Sequence, residues 1–154
     1  MKDKNQRYEK VLESVKAVLL GSGQDLSIVA RMALVASILR AEFFDWVFCG
    51  FYQVVDNHLE IGPYQGEVLA CSTIAFGRGV CGVAAEKQNT VIVDDVNQFP
   101  GYIACDSETI SEIVVPVFTD HQLVAVLDVD SPQTAAFDDT DKKYLEQIVK
   151  IMTL

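Results

Sequence analysis

Two apolar runs decide the fold: Ser111-Glu112-Ile113-Val114-Val115-Pro116-Val117-Phe118 and, after Thr119-Asp120-His121, Gln122-Leu123-Val124-Ala125-Val126-Leu127-Asp128-Val129-Asp130. Both have strand length and β-branched composition, with a turn between them. In the second run the odd positions are wholly apolar and face the core. The even positions begin apolar and end in two carboxylates on one face. In the first run Glu112 shares a face with Val114 and Pro116. A three-residue loop pairs Phe118 with Gln122 and sets Glu112 opposite Asp128, on the same face. A two-residue turn sets it opposite Val129, on the other face. Register therefore decides whether Glu112, Asp128 and Asp130 form a cluster. If they do, at least one carboxyl keeps its proton near neutrality, ready to donate it.

Helical periods lie outside this hairpin. Tyr8, Val11, Leu12, Val15, Val18 and Leu19 recur at three- and four-residue spacing, and Gly21-Ser22-Gly23 ends the run. A second helix from about Asp25 carries Leu26, Val29, Met32, Ala33, Ala36 and Leu39. After a break at Glu42 to Asp45, Trp46 to Val55 and His58 to Ile61 read as a hairpin about Asp56-Asn57, and Gly62 to Gly66 as a turn-rich link. A short segment follows around Cys71 to Ile74, then a short helix over Cys81 to Lys87 and a strand over Thr90 to Val93. Asp94 to Ile110 has neither period, and a loop of that length in a compact domain is usually functional. Asp138 caps a closing amphipathic helix carrying Tyr144, Leu145, Ile148, Val149 and Met152. The expectation is one α+β domain over residues 1–154, a central antiparallel sheet flanked by helices.

The 154 residues carry 12 Lys+Arg against 22 Asp+Glu, a net charge of -10, and half of them are apolar. Intrinsic disorder is excluded. The acidic balance argues against nucleic acid and against an anionic membrane surface. From Ala41 to Asp141 the only Lys or Arg are Arg78 and Lys87, and eleven acids lie between Asp94 and Asp141. That excess reads mainly as solubility and helix capping, and it leaves room for a site that holds a cation. No signal peptide or membrane span is legible, so a cytoplasmic, reducing setting is expected. In that setting four cysteines need an explanation other than structural disulfides.

Cys49, inside a strand, reads as a small buried hydrophobe. Cys71, Cys81 and Cys105 lie in or beside loops with no C-x2-C pair, which gives a structural zinc site little support. Cys81 stands at a helix N-terminus near Arg78, both of which lower a thiol pKa, whereas Asp106 beside Cys105 raises one. Gly77-Arg78-Gly79-Val80-Cys81-Gly82 matches G-x-G-x-x-G by letter. It lacks the βαβ context and the correctly spaced acid of a dinucleotide site. Its glycines read as a tight turn around a pocket beside Cys81.

Gly50-Phe51-Tyr52, Gly62-Pro63-Tyr64-Gln65-Gly66, Ala70-Cys71, the glycine-rich Gly77 to Gly82, Ile103-Ala104-Cys105-Asp106, Ser111 to Pro116 and Leu127-Asp128-Val129-Asp130-Ser131 together resemble the free methionine-(R)-sulfoxide reductases, single-domain GAF proteins. The resemblance spans nearly the whole chain. It implies Cys105 as catalytic cysteine and Cys71 as resolving cysteine. Cys81 corresponds to a third cysteine whose role varies across the family, as alternative partner or as nucleophile. Glu112, Asp128 and Asp130 would be substrate-site carboxylates and Tyr52 a pocket aromatic. The family usually has Trp two residues before Gly-Phe-Tyr. Here that residue is Phe48, with Trp46 two earlier on the same strand face, and either is a candidate cover for the substrate methyl. One extra residue in Glu67-Val68-Leu69 precedes Ala70-Cys71.

The implied chemistry suits these residue types. The Cys105 thiolate attacks a sulfoxide sulfur while a carboxylic acid, Glu112 or Asp130, donates to its oxygen. Asp128 stands nearest the α-ammonium. Methionine leaves, Cys71 condenses with the Cys105 sulfenic acid, and an external dithiol, thioredoxin in the family, reduces the disulfide. No metal or organic cofactor is expected, and a homodimer is compatible with this reading. The local sequence favours Cys81 as thiolate and the resemblance favours Cys105; the resemblance is followed. The alternative is a non-catalytic GAF domain that binds a small molecule or senses redox state.

Overall fold

The structure is a computed structural model that describes residues 3–21 and 25–154. Ser22 and Gly23 of the expected helix stop lie outside the described residues. Helix α1 (Lys4–Leu20) and helix α2 (Ile28–Glu42) come first, and the Ser27 hydroxyl caps α2 by accepting from the Ala30 N–H. Strands β1 (Phe48–Val55), β2 (His58–Gly66) and β3 (Thr73–Ala75) lead to α3 (Gly79–Lys87) and β4 (Val91–Val93). A single 3-10 turn (Val96–Gln98) interrupts the long loop before β5 (Ser111–Thr119) and β6 (Gln122–Ser131), and α4 (Asp139–Met152) closes the chain. The six strands form one sheet in the order β3-β2-β1-β6-β5-β4, every neighbouring pair antiparallel. Among the described residues no helix is long and apolar enough to cross a membrane.

The sheet separates two cores. On one face α1, α2 and α4 pack against Cys49, Phe51, Ile113, Val115, Leu127 and Val129. On the other, α3 and the long loop cover Phe48, Tyr52, Val114 and Val126. The strict alternation of the strands creates both sets, because each run is apolar at odd and at even positions until the carboxylates begin.

The decisive hairpin turns on two residues rather than three. Asp120 (φ 49°) and His121 (φ 65°) are both left-handed, as a tight primed hairpin turn requires, and Thr119 pairs with Gln122. Continued unbroken, that register would set Glu112 against Val129. A β-bulge intervenes: Phe118 pairs with Leu123 and Val117 with Ala125, so Val124 is the extra residue. Beyond it Val114 faces Asp128 and Glu112 faces Asp130. Glu112, Asp128 and Asp130 thus share one face, with Asp130 rather than Asp128 as the direct partner of Glu112. The bulge also reverses Leu123 and Val124. Leu123 packs toward the α3 side, against the expected odd-position rule, and Val124 toward the helical side.

The expected link Gly62 to Gly66 is strand instead. A bulge at Gly62-Pro63, opposite Phe51, absorbs the residue that lacks a ladder partner, and Tyr64 to Gly66 continue pairing to Phe48. At the other end of the chain the Asp138 cap is a full capping box with Asp141. Asp141 is more than a surface charge. It is 1% exposed and accepts from the Tyr8 hydroxyl at 2.7 Å, the Lys4 ammonium at 2.7 Å and the Asp138 N–H at 2.8 Å. Tyr8 stacks on Tyr144 at 4.9 Å, so this carboxylate ties α1 to α4.

Asp141→Ala leaves a buried hydroxyl unpaired and removes half of the capping box, a loss of about 3 kcal/mol. A urea titration checks it: the midpoint should fall with an unchanged slope.

Candidate active site

The face of the sheet that carries the three carboxyls is floored by Phe48 and Tyr52 of β1. Phe48 pairs with Asp130, Gly50 with Asp128 and Tyr52 with Val126 across the β1–β6 ladder, so all stand on one side. Gly50 is forced by a close approach: a Cβ there would lie 2.1 Å from the Tyr64 Cβ. The Tyr64 ring stacks on Phe48 at 5.2 Å. Trp46 is not part of this wall. It precedes β1, lies in the opposite core and stacks on Phe43 at 4.2 Å. Of Phe48 and Trp46 only Phe48 stands on the carboxyl face, because the chain has not yet entered the strand at Trp46 and two-residue alternation does not apply there.

The glycine-rich turn brings Cys81 in from above. Gly79 takes a left-handed φ of 60° with Ile103 packed against it, and a Cβ at Gly82 would meet the Ala75 carbonyl oxygen at 2.3 Å. The chain consequently enters α3 hard against β3, and Cys81, in the first turn, points into the carboxyl cluster. Its Sγ donates to Glu112 Oε1 at 3.8 Å. β3 is a short antiparallel edge strand, so the G-x-G-x-x-G letters belong to no βαβ unit.

Cys71 and Cys105 are joined by a disulfide with their Cα atoms 5.2 Å apart, while Cys49 and Cys81 are free and buried. The long loop delivers Cys105 through an Asx-type turn. Asp106 accepts from the Glu108 N–H at 2.7 Å, the Thr109 N–H at 2.8 Å and the Thr109 hydroxyl at 3.0 Å. Phe48, Tyr52, Leu69, Ala70, Cys81, Tyr102, Cys105, Asp106, Glu112 and Asp128 all line one pocket of ≈ 30 Å³. That space suits about one water. Three larger cavities, of ≈ 280 Å³ between β5 and α4 and of ≈ 200 Å³ and ≈ 620 Å³ elsewhere, are lined by none of the cysteines or clustered carboxyls. Cys81, Cys105, Glu112 and Asp128 gather at the small pocket.

Glu112, Asp128 and Asp130 are 5%, 6% and 7% exposed. Among the described residues Asp128 Oδ1 and Asp130 Oδ1 have no hydrogen-bond partner, and no Lys, Arg or His lines the pocket. Burial raises all three carboxyl pKa values. The Asp128 carboxyl is pushed up to about 7, with hydrogen bonds from Cys81 and Glu112 opposing the rise. Glu112 and Asp130 go well above the usual carboxylate range, because Asp128 repels their charged forms in addition to the burial. Each carboxyl therefore keeps its proton to a higher pH than an ordinary Asp or Glu, and Asp128 divides between its two forms near neutrality.

The same environment reverses the local reading of Cys81. Burial first, then Asp128, Glu112 and Asp130, drive its thiol well above normal, overriding the helix N-terminus and Arg78. Cys81 is a protonated thiol here, not the better thiolate. Tyr102 also lines the pocket, and no motif in the sequence marks it. Tyr102 lies in the aperiodic loop, and only that loop's unusual length pointed toward it.

The fold is that of a GAF domain, and the GAF domain family matches residues 25–154. The chain is 43% identical to GAF domain-containing protein A of Dictyostelium discoideum, over 97% of this chain and 92% of that protein. It is 36% identical to the free methionine-R-sulfoxide reductase of Escherichia coli, over 96% of this chain and 87% of that one. The X-ray structure of free methionine-R-sulfoxide reductase from Neisseria meningitidis in complex with its substrate superposes with a TM-score of 0.92 at 42% identity. The match covers 99% of this chain and 90% of that one. Within the GAF proteins, this chain belongs to the free methionine-R-sulfoxide reductase family.

Raised carboxyl pKa values make the folded chain hold more protons than the unfolded one. For Asp128 the window runs from 3.8 to about 7. Stability associated with this group is present below that window and is lost as pH rises through it. Asp128→Asn should flatten the decline, which urea midpoints measured across the window report. An unchanged slope would contradict the assignment.

Proposed function

We propose that this chain reduces free L-methionine-(R)-S-oxide to L-methionine, the activity named for its relatives. The observation that carries the reading is a disulfide, Cys71–Cys105, whose Cys105 lines the same pocket as the buried carboxyls of Glu112 and Asp128. In the reduced protein Cys105 attacks the sulfoxide sulfur. Glu112 or Asp130 gives its proton to the sulfoxide oxygen, so the S–O bond breaks as methionine leaves. The oxygen remains on Cys105 as a sulfenic acid. Cys71 then displaces it as water, forming the disulfide. Two electrons pass from the thiols to the substrate sulfur, and no metal or organic cofactor enters.

Asp128, the most readily ionised of the three, is the partner we assign to the substrate ammonium. Phe48 and Tyr52 are assigned to the methyl end. A peptide-bound methionine sulfoxide lacks that ammonium and would leave Asp128 facing an amide, which favours the free amino acid. The ≈ 30 Å³ beside the closed disulfide is smaller than an amino acid, and on this reading substrate enters once Cys71 and Cys105 are reduced. Both cysteines are half-buried and reachable beside the exposed Leu69. Thioredoxin, or a dithiol like it, is the proposed reductant. Cytoplasmic location and a homodimer belong to the same reading, and exposed Leu20, Val29 and Phe44 on the helical side support an association surface.

The reduced Cys105→Ser protein should release no methionine from the sulfoxide even in a single turnover. Cys71→Ser should release about one equivalent and then stop for lack of recycling. Amino-acid analysis of the quenched reaction checks both. The opposite pattern would exchange the two roles. Retained turnover in both variants would remove the mechanism.

A further inference from the structure

We propose that the same pocket is a site for one thiophilic divalent cation, Zn²⁺ or Cd²⁺, held by the Cys81 thiolate and the carboxylates of Glu112 and Asp128. One ligand atom from each of these residues lies within 4.8 Å of the others, and all three residues are buried. Cys81 Sγ and Glu112 Oε1 are already 3.8 Å apart. Tetrahedral zinc with ordinary Zn–S and Zn–O bonds holds such atoms about 3.5 Å apart, so small side-chain rotations close the set.

A second observation is independent of that clustering. Asp128 Oδ1 is buried and aimed into the pocket without a hydrogen-bond partner among the described residues, and no basic side chain lines the cavity. Two carboxyls and a thiol packed together without a cation offer a dication three negative charges once their protons leave. The pocket opens to solvent beside these donors, and a water drawn from that side completes the fourth position. The donors select the metal. A thiolate favours zinc and cadmium, whereas magnesium and calcium require an all-oxygen shell that Cys81 interrupts. On binding, the Cys81 proton and those of the carboxyls pass to solvent, leaving a complex of net charge minus one.

The site is distinct from the redox pair, since neither Cys71 nor Cys105 is a ligand. A bound ion would nevertheless occupy the carboxyls assigned to the proton and the ammonium, making the metal an inhibitor. That consequence rests on the reductase reading; the binding does not.

The test titrates Cd²⁺ into the Cys71→Ser/Cys105→Ser protein, whose remaining thiols are Cys49 and Cys81, and follows thiolate-to-metal charge-transfer absorption. One ion per chain should bind, with Zn²⁺ displacing it and Mg²⁺ leaving it in place. Adding Cys81→Ser should abolish the band, and Cys49→Ala, on the opposite face of the sheet, should leave it intact. Glu112→Gln in the same background should keep the band but weaken binding on the order of tenfold or more. Absence of a band, a band that survives Cys81→Ser, or one lost with Cys49→Ala would overturn the proposal. No substrate is present, so the result stands apart from any assay of reduction.

Discussion

Side chains of a strand alternate between faces, so a shift of one residue in the β5–β6 pairing carries every side chain of one strand to the other side. The turn at Asp120-His121 is two residues long and, unaided, would send Asp128 and Asp130 to the helical core opposite the face of Glu112. The bulge at Val124 adds the missing residue and restores parity. From there the positions of Phe48, Gly50 and Tyr52 follow through the β1–β6 ladder, and so does the cover that α3 and the long loop must form. The face that gathers the three carboxyls depends on that extra residue.

Having brought three carboxyls together, the fold does not neutralise them. The contrast with Asp141 is instructive. That buried carboxylate accepts from a hydroxyl, an ammonium and a backbone N–H, and its place in the structure is to tie two helices. Glu112, Asp128 and Asp130 meet one another and a thiol, with oxygens left unpartnered. Burial without a cation keeps protons on such groups. The site is therefore prepared to give up a proton or to take in a cation, and both capacities arise from the same missing countercharge.

Much of this was legible in the sequence. The period of 3.6 over Tyr144 to Met152, with Asp138 ahead of it, specifies α4 and its cap. The alternation in Gln122 to Asp130 specifies β6 and its two carboxylates. What could not be read was governed by contacts between distant segments. Nothing local marks Val124 as a bulge, since its neighbours are equally apolar. The turn residues Gly62-Pro63 disguised a strand that tolerates them only because a bulge opposite Phe51 leaves them unpaired. Trp46 lay two residues from Phe48 yet belongs to the other core, because β1 begins after it. Cys81 is the electrostatic exception. Its helix and Arg78 are neighbours in sequence, but the carboxyls that outweigh them come from strands 31 or more residues away.

The account depends most directly on protonated carboxyls at the base of the pocket near neutral pH. Infrared spectroscopy of protein carrying isotope-labelled Glu reads the C=O stretch of a protonated side chain separately from those of Asp. At neutral pH the labelled protein should show a protonated-carboxyl band that Glu112→Gln removes. A spectrum in which every Glu is ionised at that pH would contradict the central claim, because the pocket would then have no acid at Glu112 to offer a sulfoxide oxygen.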